Sequence, residues 1–183
     1  TRGAVLRQAA ARLTAGAVAV IPTDTVYGLA AHPACAASVV RLGTIKGRPT
    51  GKPIALLAAD ADAVRRAGAR FPPAAERLAA RHWPGALTLV LDCGGRLEGF
   101  RVPAHLFCRE LLAACGGLLR VTSANLSGAQ PALSAAQALA GIGLDADLII
   151  DDGPSPGGLA SSVVRVTGEE AALLREGALA AAD

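Results

Sequence analysis

The stretch that most strongly indicates the fold is Ala17-Val18-Ala19-Val20-Ile21-Pro22-Thr23-Asp24-Thr25-Val26-Tyr27-Gly28-Leu29-Ala30. Its first five residues are a continuous apolar run rich in Val and Ile, which predicts a buried strand that ends at Pro22. Two threonines and an aspartate follow at once. Ligand groups collect at strand ends in α/β sheets, so we expect 23–25 near a binding site. One of the three would also serve as the N-cap of a following helix.

Helical and strand patterns alternate outward from this stretch. Helices are predicted over 3–15, 34–45, 60–69, 73–82, 104–115 and 135–140. Strands are predicted over 54–58, 86–91, 100–103, 118–121, 148–150, 160–166 and 172–175, with a Gly-rich loop over 93–99. Hairpin-length links at 91–100 and 166–172 indicate antiparallel pairing. Since no linker or repeat interrupts the chain, we predict one domain over 1–183, an α+β protein with helices packed on a twisted mixed parallel and antiparallel sheet.

The composition restricts the class of protein only loosely. Of the 183 residues, 52% are apolar and 3% aromatic, and the net charge of +3 allows an anionic ligand or RNA but requires neither. The cysteines form no Cys-x-x-Cys pair and the histidines show no ligand spacing, so we predict buried reduced thiols and no metal-ligating residues. No signal peptide or membrane-length apolar run is visible, which predicts a cytoplasmic protein without membrane contact.

A cationic loop is predicted over Lys46-Gly47-Arg48-Pro49-Thr50-Gly51-Lys52-Pro53, because its two prolines exclude a helix interior. It contains both lysines of the chain, and every other basic residue is arginine. Lysine kept at these two places indicates a requirement for a compact ammonium. Such a loop suits a polyphosphate. From the loop alone, a solvated basic turn explains the pattern equally well.

Further polar residues accompany the other predicted strands, namely Arg101, the cluster 122–127, the pair 161–162 and Arg175. If these strand ends and the cationic loop meet in one cleft, it holds several hydroxyls, one amide and up to five cations. We find no nucleophile–base pair, Walker A motif or Gly-x-Gly-x-x-Gly. The pattern therefore favours substrate positioning and charge stabilisation, as in phosphoryl or nucleotidyl transfer.

Four motifs, in order and spacing, resemble the threonylcarbamoyl-adenylate synthase family, also called the YrdC family: Pro22-Thr-Asp-Thr-Val-Tyr-Gly-Leu29, Lys46-Gly-Arg-Pro49, Trp83-Pro-Gly85 with Thr88, and Ser123-Ala-Asn-Leu-Ser-Gly128. The likeness runs from about Ala4 to Gly177. It implies a YrdC-like fold with a deep cationic cleft.

The resemblance also implies an activity, that of a nucleotidyltransferase, L-threonylcarbamoyladenylate synthase. ATP, L-threonine and bicarbonate would give threonylcarbamoyl-AMP and pyrophosphate, with Mg²⁺ expected to assist. The product would supply the t6A modification at adenosine 37 of tRNA, completed by a separate downstream threonylcarbamoyl transferase complex. A weak, secondary contact with tRNA or other double-stranded RNA is compatible with this interpretation.

Site roles follow from the resemblance residue by residue. Lys46 and Arg48 are the implied catalytic residues. ATP is implied to contact Lys46, Arg48, Lys52, Ser123, Asn125, Pro131 and Arg175. Threonine is implied to contact Thr25, with Thr23 as the near alternative, and also Arg101, the backbone of Val121, and Ser161. Asp24 is a candidate for taking the amine proton, with an N-cap or structural role as its alternative.

The chain departs from the family pattern at Leu57, where many members have histidine, and at Ser162, where threonine is usual. Two other functions remain alternatives. One is a carbamoyl-adenylate-forming domain that uses carbamoyl phosphate, as in the hydrogenase-maturation protein of the HypF kind. The other is a non-catalytic double-stranded-RNA-binding module, which would need cations but not the polar set at 25, 101, 123, 125 and 161.

Overall fold

Nine strands and six helices lie in the residues that this computed structural model describes, 1–47, 51, 53–142 and 145–180. The strands are β1 (Val18–Ile21), β2 (Gly28–Ala31), β3 (Leu56–Ala58), β4 (Leu87–Cys93), β5 (Arg96–Arg101), β6 (Leu118–Ser123), β7 (Leu148–Ile149), β8 (Ser162–Thr167) and β9 (Glu170–Arg175). The helices are α1 (Arg2–Thr14), α2 (Ala36–Ile45), α3 (Ala61–Arg66), α4 (Pro73–His82), α5 (Leu106–Ala114) and α6 (Ala135–Gly141). Within the same described ranges, no helix has both the length and the apolarity needed to cross a membrane.

The described strands pair into one sheet in the order β7-β1-β2-β6-β3-β5-β4-β8-β9. Three pairs are parallel, β1–β7, β3–β5 and β4–β8. The other five, β1–β2, β2–β6, β3–β6, β4–β5 and β8–β9, are antiparallel. The predicted mixed sheet is therefore confirmed, and each predicted helix overlaps an observed one. Asp60 and Ser134 cap α3 and α6, since their side chains accept hydrogen bonds from the first-turn amides.

The loop predicted over 93–99 is wrong, because β4 and β5 form a tight hairpin. β4 continues to Cys93 and β5 begins at Arg96. Gly94 and Gly95 between them have φ of 64° and 83°. Positive φ at both central residues is what a type I′ turn requires, and it matches the right-handed twist of the strands. Two adjacent glycines between apolar runs are a hairpin signal, so the sequence did contain this information.

The N-cap alternative for 23–25 is also wrong, because these residues precede strand β2 and not a helix. Thr23 Oγ1 instead accepts from the backbone nitrogens of Thr25 and Val26 at 3.2 and 3.3 Å, which makes a local turn. β2 itself was not predicted. Its sequence Gly-Leu-Ala-Ala has weak strand propensity, and the strand forms because β1 and β6 pair with both of its edges.

The two faces of the sheet carry different layers, since successive residues of a strand point to opposite sides. Val18 and Val20 pack against α2 and α6, in a cluster that includes Leu42. Ala19 and Ile21 point the other way and pack against α1 and α5. One strand thus supplies side chains to two separate hydrophobic clusters.

Further along the sheet, the face that carries α1 and α5 is left open. Leu87 and Leu89 of β4 pack against α3 and α4. Thr88 therefore points to the opposite face, together with Gly99 of β5 and Val163 of β8, and these residues line a cavity. Successive residues of β4 therefore point alternately into the hydrophobic core and towards the cavity.

The segment 151–158 holds the residues that follow β1 in place. Ser155 Oγ donates to Thr23 O at 2.8 Å, and the amide of Gly158 donates to Thr25 O at 3.0 Å. Tyr27 Oη donates to Gly153 O at 2.6 Å, and burial of the phenol raises its pKa. Because these contacts are made mostly to backbone atoms, they fix the path of the chain through 23–27.

We expect Leu89→Ala to lower the free energy of unfolding by about 2–5 kcal/mol, because Leu89 is fully buried and its truncation leaves a cavity. The matched change Leu159→Ala, at a leucine that is 61% exposed, should alter it by no more than about 0.5 kcal/mol. Denaturant unfolding measures both values. Equal effects of the two changes would contradict the described core.

Gly157→Ala should destabilise the protein by roughly 1–3 kcal/mol, because a Cβ there would lie 2.7 Å from Asp24 O and 3.0 Å from Thr25 Cα. Gly43→Ala is the control, since nothing lies within 4 Å of a Cβ at that helical position. It should be neutral or stabilising, as alanine favours helix. A Gly157→Ala protein as stable as the Gly43→Ala protein would show that the segment 151–158 is not closely packed against the segment 23–27.

Candidate active site

A cavity of about 660 Å³ lies on the open face of the sheet. Nine of the twelve site residues expected from the sequence line it: Thr23, Thr25, Lys46, Arg101, Val121, Ser123, Asn125, Ser161 and Arg175. Pro131 is not among the described lining residues, and Arg48 and Lys52 lie outside the described part of the chain. The strand ends that the sequence analysis expected to meet do line one cavity.

Arg101, the last residue of β5, is 5% exposed. Its Nε donates to Gly85 O at 2.8 Å and its Nη1 donates to Thr25 Oγ1 at 2.8 Å. Its Nη2 donates to Asp24 Oδ1 at 2.5 Å, so the buried cation has a partly buried counter-charge. A guanidinium has five N–H groups, and these described bonds use three of them. Two N–H groups therefore remain beyond those bonds.

Thr23 and Thr25 lie side by side under this guanidinium. Both are buried, and their Oγ1 atoms are 3.1 Å apart. Thr23 Oγ1 also donates to Val26 O at 2.7 Å, so this hydroxyl serves mainly the turn. Thr25 is the threonine that contacts Arg101.

Ser161 lies between Thr88 and a second arginine. Its Oγ is 2.8 Å from Thr88 Oγ1. Arg175 Nη2 donates to the Ser161 carbonyl at 2.6 Å and to its Oγ at 3.4 Å. Burial lowers the pKa of Arg175, and the charge of Arg101 lowers it further. The two guanidiniums therefore repel one another, and an anion bound near both would relieve that repulsion.

Ser162, the next residue, has a structural role. Its Oγ accepts from the amides of Gly177 and Leu179 at 2.9 and 3.1 Å and donates to Leu179 O at 2.6 Å. A serine hydroxyl is sufficient for these bonds. Serine in place of the usual threonine therefore keeps the hydrogen bonds that attach the segment 177–179 to Ser162.

Lys46 directs its ammonium towards the end of β6 and is 4% exposed. Its Nζ donates to the carbonyl of Ser123 and, at 2.7 Å, to the carbonyl of Asn125. It also lies 3.3 Å from Ser123 Oγ and 3.4 Å from Asn125 Oδ1. Asn125 Nδ2 donates to Leu126 O and Ala129 O, both at 2.8 Å. Three residues that the sequence assigned to ATP thus form one bonded group.

Val121 and Leu57 contribute apolar surface between the polar groups. The amide of Val121 donates to Ala55 O at 3.0 Å, so a backbone contact with a ligand would have to use its carbonyl. Leu57 is buried and pairs in register with Arg101 across β3 and β5. Its side chain cannot form a hydrogen bond, whereas the histidine expected at this position in many family members could do so.

The cavity has an apolar side that the sequence analysis did not assign. Its lining there includes Val90, Leu97, Val163 and Leu174, and the charged Arg165 follows Val163 by two residues on β8. A signal for several of them existed. Residues two apart in a strand point to the same face of the sheet. The assignment of 101 to the site therefore implies that 99 and 97 face it too. In the same way, the assignment of 161 implies that 163 and 165 face it. Position 97 was missed because the strand was predicted to begin only at 100.

The described lining is rich in positive charge. It includes Lys46, Arg101, Arg165 and Arg175, and none of the described lining residues is acidic. In the same described ranges, no three His, Cys, Asp or Glu side chains are grouped so that they could hold a metal ion. The arrangement can bind and orient anionic ligands through hydroxyls and cations, and it contains no Cys–His or Ser–His pair.

The chain is similar to known proteins in both sequence and fold. A threonylcarbamoyl-AMP synthase of Rattus norvegicus is 38% identical over an alignment of 160 positions, which covers 81% of this chain and 56% of that protein. A putative threonylcarbamoyl-AMP synthase of Mycobacterium tuberculosis strain H37Rv is 34% identical over an alignment of 188 positions, gaps included, which covers 97% of this chain and 85% of that protein. The solved Sua5 of P. abyssi in complex with L-threonine superimposes with a TM-score of 0.86 at 32% identity, over 94% of this chain and 54% of that one.

The chain thus spans only about half the length of the rat and P. abyssi proteins. The sequence model of the Sua5/YciO/YrdC family, described as telomere recombination, matches residues 11–177. That match covers most of the chain. The chain therefore belongs to the Sua5/YciO/YrdC family.

Proposed function

We propose that this chain is an L-threonylcarbamoyladenylate synthase, an ATP-dependent nucleotidyltransferase that forms threonylcarbamoyl-AMP and pyrophosphate from ATP, L-threonine and bicarbonate. The observation that carries the proposal is that one cavity contains both a group suited to an amino acid and a group suited to a nucleotide. The names of the relatives and the L-threonine bound to the P. abyssi protein support it.

Threonine would bind at the end of the cavity formed by Arg101, Thr25 and Ser161. The two remaining N–H groups of Arg101 match a carboxylate, which accepts paired hydrogen bonds from a guanidinium. Hydroxyls on either side, from Thr25 and from the Ser161–Thr88 pair, would meet the other polar atoms of a small amino acid.

ATP would occupy the rest of the cavity. Its phosphates would lie near Lys46, with Arg48 and Lys52 of the same sequence segment completing a cationic cleft. Ser123, Asn125 and Arg175 would contact the nucleotide, and the apolar side at Leu97, Val163 and Leu174 suits the faces of a purine. For Pro131, outside the described lining, we propose no contact.

The chemistry would proceed by positioning and charge stabilisation. The threonine amine reacts with bicarbonate to give N-carboxythreonine and water, and the new carboxylate then attacks the α-phosphorus, from which pyrophosphate leaves. Lys46 and Arg48 would offset the negative charge that develops on the phosphates. Positioning of the substrates by the described cavity residues would lower the cost of bringing three substrates together.

Mg²⁺ commonly binds one or two carboxylates together with substrate phosphates. Within the described residues no acidic cluster forms a cage for it, and Asp24 is paired with Arg101. The metal would therefore enter with the nucleotide, where it would add positive charge on the phosphates. We assign no residue of this chain to it.

We further propose that residues 1–183 form a single domain that acts in the cytoplasm. Its product would be consumed by a transferase complex that modifies tRNA. Direct contact with double-stranded RNA would be weak, because the polar groups of the cavity are arranged for small ligands.

The proposal is tested by pyrophosphate release from ATP and bicarbonate, measured with and without L-threonine. We expect release to depend on threonine and to be much slower with serine. Release driven by carbamoyl phosphate instead would assign the chain to carbamoyl-adenylate formation. RNA binding without any release would favour the non-catalytic module.

Lys46→Met should reduce threonine-dependent turnover by at least about 100-fold, because it removes a fixed cation while keeping an apolar stem. Arg70→Met is the control, since that arginine side chain is 81% exposed and does not line the cavity, and its turnover should be unchanged. Melting temperatures establish that both variants fold. Full turnover by a folded Lys46→Met protein with intact ATP binding would contradict the phosphate role of Lys46.

A further inference from the structure

Three glycines are among the described residues that line the cavity: Gly28, Gly99 and Gly128. Two of them have a reason within the protein itself. Gly128 has a φ of 86°, a backbone conformation that residues with a side chain rarely adopt. A Cβ at Gly28 would lie 2.5 Å from Val121 Cγ1, so the pairing of β2 with β6 disfavours a side chain there.

Gly99 has neither reason. Its φ lies outside the left-handed region, and the nearest described atoms to an added Cβ are Ala55 Cβ at 3.4 Å and Thr88 Cγ2 at 3.5 Å, which are van der Waals contacts. Glycine inside a strand costs stability, because it packs no side chain and loses more conformational entropy on folding than alanine does. Strand β5 would therefore accept alanine at this position. A glycine kept there indicates that something else approaches the backbone closely.

The position of Gly99 is the middle of the cavity floor. It lies two residues from Arg101 and two residues from Leu97 on the same face of β5, about 7 Å along the strand from each. Val90 pairs with it on the β4 side, and Ala55 is its neighbour on the β3 side. Both neighbours have short apolar side chains. The floor around Gly99 is therefore shallow and apolar, between a charged end and an apolar end of the cavity.

We propose that Gly99 is a specificity-determining residue: its missing side chain leaves the room in which the ribose and α-phosphate of the nucleotide lie against the sheet. The inference rests on the proposed function and names the place where the two substrates are joined. In an aminoacyl-type adenylate the ribose and phosphate lie between the amino acid and the base, as Gly99 lies between Arg101 and Leu97. Lys46 and Arg175 line the same cavity and supply positive charge for the phosphate.

A side chain at position 99 should impair turnover without impairing the fold. Gly99→Ala should lower kcat/KM for ATP by about threefold to tenfold, and Gly99→Val by at least about 100-fold, because a displacement of about 1 Å at the reacting groups costs a factor of that size. The melting temperatures of both variants should equal or exceed that of the unchanged protein, since alanine and valine suit a strand better than glycine.

Gly3→Ala is the matched control, because it makes the same chemical change in α1, away from the cavity lining. A Cβ at that position would meet only Arg7 Nη1, at 3.6 Å. Its turnover should equal that of the unchanged protein, and alanine in a helix should leave the melting temperature equal or higher.

Three ligands, measured by calorimetry on Gly99→Val and on the unchanged protein, locate the effect. L-threonine and inorganic tripolyphosphate should each bind to both proteins with affinities within about threefold, since neither contains the part that lies on Gly99. α,β-Methylene-ATP, which contains the ribose and cannot release pyrophosphate, should bind to Gly99→Val at least about tenfold more weakly. The selective loss of this one ligand is the result that a general distortion of the site would not give.

Several results would overturn the inference. Full turnover by folded Gly99→Val would show that the ligand does not approach position 99. Equal weakening of all three ligands would indicate a distorted site, and a lower melting temperature for Gly99→Ala than for Gly3→Ala would show that the fold itself requires the glycine. A selective loss of α,β-methylene-ATP binding, in a chain that releases no pyrophosphate with threonine, would support the nucleotide contact and contradict only the proposed reaction.

Discussion

The buried guanidinium of Arg101 is the interaction on which the site depends. It joins three parts of the chain that are distant in sequence: the end of β5, the turn at Gly85, and the segment 23–25 that follows β1. Its charge is offset by Asp24 within the protein, so the pair can remain buried. If the pair were broken, both the orientation of Thr25 and the path of the segment after β1 would change.

The sheet makes this arrangement possible because alternate residues of a strand either pack in the hydrophobic core or line the cavity. Along β4, leucines 87, 89 and 91 enter the hydrophobic core, while Thr88 and Val90 face the cavity. Helices α1 and α5 cover only part of the cavity face, where Leu57 and Leu119 pack beneath them. The uncovered part exposes polar strand ends and apolar strand middles to the same space. A ligand with a charged end and an apolar end fits such a surface.

Much of this could be predicted from the sequence, because the strongest signals are local. The apolar run at 17–21, the motif at 123–128 and the lone lysines each stand out without knowledge of the fold. Strand β2 could not be predicted, since Gly-Leu-Ala-Ala becomes a strand only through its two neighbours. The cavity-facing role of Leu97 depended on the true start of β5 at Arg96.

Side-chain partners were the least predictable part of the site. The sequence shows Asp24 next to Thr25, but their shared contact with Arg101 depends on a sheet register between distant strands. In the same way, the sequence predicts that Lys46 faces phosphates but does not reveal its hydrogen bonds to the carbonyls at the end of β6. Such pairings follow from topology, which local patterns do not specify.

The most direct test of the account is a crystal structure of the protein with L-threonine and a non-hydrolysable ATP analogue. The account predicts both ligands in the one cavity, with the threonine carboxylate on Arg101 and the phosphates next to Lys46. A nucleotide bound outside this cavity, or a threonine whose carboxylate avoids Arg101, would contradict it.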